Sequence, residues 1–220
     1  MIYRVQLLNG TFRPSASRYR LKQAEEVVRF GPKLLLLYLL SLVIFGISAY
    51  LGIGSESISK EVAGLNASEF ESKRLLVFAG KLLSGILFPS IFLFMSSLLF
   101  WIFTDIEYRR IVIVQMFVFV VALFEKAVAI PFLVLMDLDQ DSNPFSFGVI
   151  SQHYISNDFF IHFFGAITIF QLVIICLQYY YLRYLADTNR FLILLAIGLF
   201  YIVSWFAQAF LSYIKVSVFF

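Results

Sequence analysis

The run from Ile111 to Met136, IVIVQMFVFVVALFEKAVAIPFLVLM, limits what this chain can fold into more than any other stretch. At about 1.5 Å of rise per residue, a helix of that length crosses a hydrocarbon core of roughly 30 Å. Near its middle stand Glu125 and Lys126, and Pro131 follows them. An ionised side chain at such depth costs on the order of 3 kcal/mol unless it is paired or turned towards protein. The span is therefore expected at the centre of a helix bundle, with Glu125 and Lys126 facing the interior. Adjacent helical residues point about 100° apart, so the two make a poor ion pair with each other and each needs a partner elsewhere.

The rest of the chain agrees with a membrane setting. Hydrophobic residues make up 61% of the 220 and charged residues 14%, against about 45–50% and 25% in an ordinary soluble domain. One soluble core of this size cannot hide that excess, so lipid must solvate much of it. A net charge of +3 gives no ground for a nucleic-acid partner. The single cysteine, Cys176, cannot form an intrachain disulfide and has no companions for a metal site, so it reads as a small packing residue. The opening MIYRVQLLNGTFRP lacks the apolar core of a secretory signal, and no lipidation motif is expected.

Residues 1–33 carry Arg4, Arg13, Arg18, Arg20, Lys22, Arg29 and Lys33 against Glu25 and Glu26. A helix over Ser15 to Phe30 is expected after Pro14, broken at Gly31-Pro32 before the membrane. Arg13, Arg18, Arg20, Lys22, Arg29 and Lys33 are the residues that would lay this segment on an anionic lipid surface. The alternative is a solvated juxtamembrane stretch whose charges merely set orientation. Residues 34–215 then form the transmembrane domain, with spans at about 34–53, 75–104, 111–136, 158–182 and 191–214, and 216–220 form a short tail. Within the second span Phe88-Pro89 predicts a kink. The loop before it holds Asn66-Ala67-Ser68, a weak N-glycosylation pattern.

The fold expected is all-α: a polytopic bundle of five transmembrane helices, N-terminus in and C-terminus out. Orientation follows from the loops. With the N-terminus inside, Arg109, Arg110, Arg183 and Arg190 join the basic N-terminal segment on one side. The other side keeps only Lys60, Lys73, Arg74 and Lys215, as the positive-inside rule requires.

The sequence carries none of the common catalytic patterns. No pair of histidines stands one helical turn apart with a glutamate between them, and no Gly-x-Ser-x-Gly turn or phosphate-cradling glycine loop is present. His153 and His162 straddle a loop–helix boundary and make a poor metal pair. No catalytic residue, metal or cofactor is expected. What remains is an intramembrane polar layer. Counted from the outer helix ends, Glu125 and Gln171 come out about 17–20 Å deep and Ser204 a little shallower. Glu125, Lys126, Gln171 and Ser204 are thus a candidate site for a solute or proton path or for a docking helix. The alternative is a structural cluster that fixes helix register.

The layout resembles the Yip family of integral membrane proteins, in its bacterial branch. The resemblance rests on the basic segment leading into GPKLLLLYLLSLVIFGISAYLGIG, on LLSGILFPSIFLFMSSLLFWIFTD, and on the turn YRR opening a span that ends in AIPFLVL. It continues through SNPFSFG and the RYLADTNRF connection, and so covers roughly residues 25 to 215. It implies a five-span, non-enzymatic protein of the bacterial cytoplasmic membrane that works through other integral membrane proteins. Family members attend vesicle traffic or accompany ABC-type exporters and resistance to peptide toxins. The partners implied are the lipid bilayer and other membrane proteins, with an ABC transporter among the candidates and oligomers open. A small transporter or channel using Glu125 and Lys126 is the alternative function.

Overall fold

The computed structural model describes residues 2–53, 67–136, 143–155 and 157–213, with the side chains of 67–70 and 213 excepted. The Asn66 acceptor and the 216–220 tail lie outside these residues. Among the described residues four helices are long and apolar enough to cross a membrane: Phe30–Tyr50, Glu71–Phe103, Tyr108–Leu135 and Arg190–Ser212.

The chain opens with strand β1 (Ile2–Arg4), helices α1 (Leu7–Phe12) and α2 (Pro14–Lys22) and strand β2 (Glu26–Val28). The two strands pair in parallel, with Tyr3 opposite Val27. The expected helix over Ser15 to Phe30 therefore stops at Lys22. Val27 and Val28 are β-branched and favour an extended chain, and β1 supplies the partner that lets them take it. Arg29, at φ 64°, turns the chain sharply into α3 (Phe30–Tyr50). Gly31-Pro32 does not break that helix. It sits in the first turn, where the proline's missing N–H would have had no intrahelical acceptor.

Helix α3 ends on a glycine for a physical reason. Gly52 has φ 78°, and Ile53 N–H donates to the Ser48 carbonyl while Gly52 N–H donates to that of Ala49, both at 3.1 Å. This is a Schellman closure, which a residue with a Cβ adopts only with strain.

Helix α4 (Ala67–Ser90) continues through a π-helical turn, Ile91–Met95, into α5 (Ser96–Phe103). The kink expected at Phe88-Pro89 takes this form. Pro89 cannot donate back along the helix, and the following turn widens. The hydroxyl of Tyr108 donates to the carbonyl of Phe94 in that turn at 3.3 Å, and Ser97 donates to Leu93 at 2.5 Å. Helix α6 (Tyr108–Leu135) follows.

Beyond it lie α7 (Gly148–Tyr154), α8 (Asp158–Gly165), α9 (Ile169–Leu185) and α10 (Arg190–Tyr213). The fourth span was expected as one helix over 158–182, and it is two. Thr168 bridges Ser146, Phe147 N–H donates to Ile167 at 2.9 Å, and Ile169 N–H donates to Phe145 at 3.1 Å. The SNPFSFG loop thereby takes up backbone groups that a continuous helix would have paired internally. Gly148 makes the junction tight, since a Cβ there would stand 2.8 Å from the Cα of Gly165. Backbone cannot yield as a side-chain tip can, so Gly148→Ala is expected to cost about 1–3 kcal/mol in thermal unfolding. Val149→Ala, at an exposed position next door, should cost little.

The helices contribute to two compact units. The first comprises Met1–Leu40, Phe88–Glu125 and Phe170–Val203, the second Ser41–Leu87, Lys126–Ile169 and Ser204–Phe220. In the first, Ile111 to Phe119 are buried one after another, so α6 is covered on every face there. Phe88, Phe92 and Phe119 form a triangle of rings 5.1–6.0 Å apart, and Phe100 meets Phe200 edge-on at 5.7 Å. In the second, Phe163 packs on Phe206 at 4.8 Å, Phe132 on Phe145 at 5.3 Å, and Ile53 joins Ala129 and Leu133.

Candidate functional site

The first unit holds a built-in N-terminal plug. Gly10, in α1, lies flat on the ring of Phe117 in α6, and a Cβ would come within 2.3–2.5 Å of three ring atoms. The Tyr181 hydroxyl donates to the Gly10 carbonyl at 2.7 Å, and its ring stands 5.5 Å from that of Phe117. Thr11 donates to the Phe117 carbonyl at 2.8 Å. Leu21 and Val5 are almost fully buried beneath. A segment that the sequence leaves either on lipid or in solvent is thus anchored on α6 and α9.

The end of this unit is polar. Arg110 donates to the carbonyls of Ala24 and Lys22, at 2.9 and 3.4 Å, and Arg109 to that of Val27 at 3.3 Å. Asp105 ties the α5–α6 turn to the α9–α10 turn by accepting from the backbone N–H of Asp187 and Thr188 and from the Thr188 hydroxyl. The Thr188 hydroxyl first, and then these backbone donors, hold the Asp105 carboxyl below its usual range.

The six basic residues expected on lipid separate into distinct environments. Arg18 stacks over Tyr180 and Tyr184 at 4.1 and 4.5 Å, and Lys22 pairs with Asp187 at 3.1 Å. Arg13 and Arg20 line a cavity of about 510 Å³ together with Arg4. Arg29 is exposed at the turn into α3, and Lys33 is half-buried in the first turn of that helix.

Of the intramembrane candidates, Glu125 is buried, 6% exposed. Lys126 is exposed, which corrects the expectation that both face the interior. The correction has the geometry already noted: neighbours about 100° apart on a helix cannot share one face. Glu125 and Gln171 fall in the first unit, Lys126 and Ser204 in the second, and Gln171 and Ser204 are half-buried. Glu125, Gln171 and Ser204 each have an interaction partner. Lys126 borders a cavity of about 70 Å³ lined mainly by Ile44, Phe45, Ala129 and Leu133, too small for a solute site of roughly 300 Å³ or more.

A polar pair that sequence reading missed lies in the first unit. Gln178 donates through Nε2 to Gln115 Oε1 at 2.8 Å, and both residues are fully buried. The signal was available. Gln115 and Gln178 interrupt apolar runs about 10 Å from the start of α6 and from the end of α9, which puts them at one level. Among the described residues Gln115 Nε2 has no hydrogen-bond acceptor. Gln115→Leu alone leaves Gln178 stranded and should cost about 1–3 kcal/mol in thermal unfolding, whereas changing both glutamines to leucine should be nearly neutral. Equal losses in the single and double variants would contradict this pairing.

No protein-family model, no curated protein and no solved structure matches the chain. Its class is given by its own architecture: an all-helical core with four helices of membrane-crossing length and apolarity and a small two-stranded N-terminal element.

Proposed function

We propose that this chain is a non-enzymatic accessory or scaffold protein of the bacterial cytoplasmic membrane, built like the Yip family, that binds and modulates a membrane transport complex such as an ABC-type exporter or toxin-resistance system. The observation that carries this reading is the closed centre of the first unit. Nine successive positions of α6, Ile111 to Phe119, are covered on all sides, whereas a conduit needs a wet path through the bundle. The apolar surface faces outwards instead: Leu35, Leu39, Val43 and Ile47 of α3 are all exposed, and offer area to lipid and to neighbouring membrane helices. In this reading α8 and α9 together make the fourth of five crossings, and the N-terminus is cytoplasmic. The 17 residues of α9, about 25 Å long, are close to the shortest span that serves.

Reconstitution in liposomes tests the function. The scaffold reading expects no more ion or solute flux than protein-free vesicles show and, in the native membrane, a discrete membrane-protein adduct when a photo-crosslinker replaces Leu39 or Val43. Flux without a partner, or adducts to lipid alone, would overturn it. Topology reporters fused after Phe30 and Phe220 should report opposite sides. The rival reading, a small transporter, is favoured by one observation, the burial of Glu125 within an apolar helix.

A further inference from the structure

The cavity between β1, α1 and α2 is charged on one side only. Arg4 comes from β1, Arg13 from the junction of α1 and α2, and Arg20 from α2, and among the described residues no carboxylate lines the space with them. The acidic residues of this segment, Glu25 and Glu26, belong to the β2 side, with Glu26 opposite Ile2. Several other cations of this unit have partners. Lys22 has Asp187, Arg110 has Glu107 at 3.3 Å, Arg18 has two tyrosine rings and Arg109 has a carbonyl. Among the described residues the guanidiniums of Arg4, Arg13 and Arg20 have neither an ion pair nor a hydrogen bond. Three like charges gathered around one space without compensation repel each other, and an anion placed among them removes that cost.

The floor of the cavity favours the same kind of ligand. Ser17 and Tyr3, both 6% exposed, line it, and the Ser17 hydroxyl is already donated to the Asn9 carbonyl. Burial pushes the Tyr3 phenol above its usual range despite the nearby Ser17 and Arg20, so it stays a neutral donor rather than a competing anion. Arg13 and Ser17 are fixed by the helical turn, since Ser17 N–H donates to the Arg13 carbonyl and Ser17 Oγ to the Asn9 carbonyl. The guanidinium is the side chain best matched to two oxygens of one phosphoryl group. A volume of about 510 Å³ is within the roughly 300–1,000 Å³ of small-molecule sites and exceeds what a bare oxyanion needs.

We propose that this cavity is a binding site for a phosphate monoester dianion, held by Arg4, Arg13 and Arg20 with the Tyr3 side chain beneath. The monoester is either a soluble one or the headgroup of a membrane lipid, and the chemistry recognised is the same. The site does not depend on the accessory reading, because nothing in it requires a partner protein.

The test uses the full chain in nanodiscs of phosphatidylcholine. One arm titrates inorganic phosphate and glycerol 3-phosphate. The other compares nanodiscs containing phosphatidic acid, a monoester, with nanodiscs of equal surface charge containing phosphatidylserine, a diester. Thermal protection of the protein is the readout in both. Saturable protection by the soluble probes assigns a soluble ester, and protection by phosphatidic acid over phosphatidylserine assigns a headgroup. In either case the double substitution Arg13→Gln with Arg20→Gln should weaken binding at least about tenfold. The control pair, Arg29→Gln with Lys33→Gln, removes the same charge outside the cavity and should change it less than about twofold. Arg4→Gln alone repeats the test from β1, should the double variant unfold. Equal weakening by cavity and control pairs, equal protection by the two lipids with none from soluble probes, or no protection by any probe would overturn the proposal.

Discussion

Gly10→Val should give the largest loss of stability of any single-residue change in the N-terminal segment. The first atom of any side chain at this position would stand 2.3–2.5 Å from the Phe117 ring. That ring is fully buried and packed at a tilt against Tyr181, so it has nowhere to move. Overpacking of this kind costs about 1–3 kcal/mol and sometimes more. Phe117→Ala should cost about 3–5 kcal/mol by leaving a cavity. The combination Gly10→Ala with Phe117→Ala is the sharper experiment, since the new methyl group occupies space the ring has left. Its loss should fall short of the sum of the single losses by about 0.5–3 kcal/mol. Simple additivity in thermal unfolding would mean that the two residues do not touch. Phe12→Ala, at a position 76% exposed, should be near neutral.

The second large effect is expected at Glu125, and its neighbour should respond with the opposite sign. Glu125 is buried and engaged, so Glu125→Leu strands a polar group and should cost about 1–3 kcal/mol, more where that group is charged. Glu125→Gln keeps the shape and part of the hydrogen bonding and should cost less. Lys126 is exposed on an apolar helix, where an ammonium is dearer than an aliphatic chain. Lys126→Met should therefore be neutral or stabilising. Thermal unfolding of the three variants, read beside flux or complex formation, separates structure from function. Loss of function at unchanged stability in Glu125→Gln would favour the transporter reading. Destabilisation by Lys126→Met would refute its placement on the outside of the helix.

The long apolar helices were legible because length and composition alone determine them. Their ends shifted by a few residues, and the Gly52 terminus could be read from the glycine itself. Three features were not legible, each because a distant segment decides it. Val27 and Val28 carry a weak preference for an extended chain, and only pairing with β1 realises it. The break between α8 and α9 comes from Phe145 and Phe147, whose backbone groups reach Ile169 and Ile167 from about twenty residues away. Gly10 looks like a turn glycine in the sequence, and its purpose appears only once Phe117 is placed over it. For the candidate site, the sequence located the burial of Glu125 through the cost of charge in hydrocarbon. It could not assign faces, and so misplaced Lys126. The basic residues were visible as a group, but which of them pair, which stack and which face the cavity depends on Tyr180, Tyr184 and Asp187 arriving from the other end of the chain.

The N-terminal segment is a folded plug on α6 and α9 rather than a basic tail resting on lipid. Hydrogen–deuterium exchange on the full chain in nanodiscs of phosphatidylcholine alone tests it most directly, because no anionic lipid is present to order a tail. The N–H groups of Val5, Gly10, Arg13 and Ser17 donate to backbone carbonyls, and peptides covering them should exchange at least about a hundredfold more slowly than an unfolded chain. Gly10→Val should abolish that protection while leaving Val118 to Leu123 protected. Exchange at the unfolded rate in the wild-type chain, with protection appearing only when anionic lipid is added, would contradict the plug.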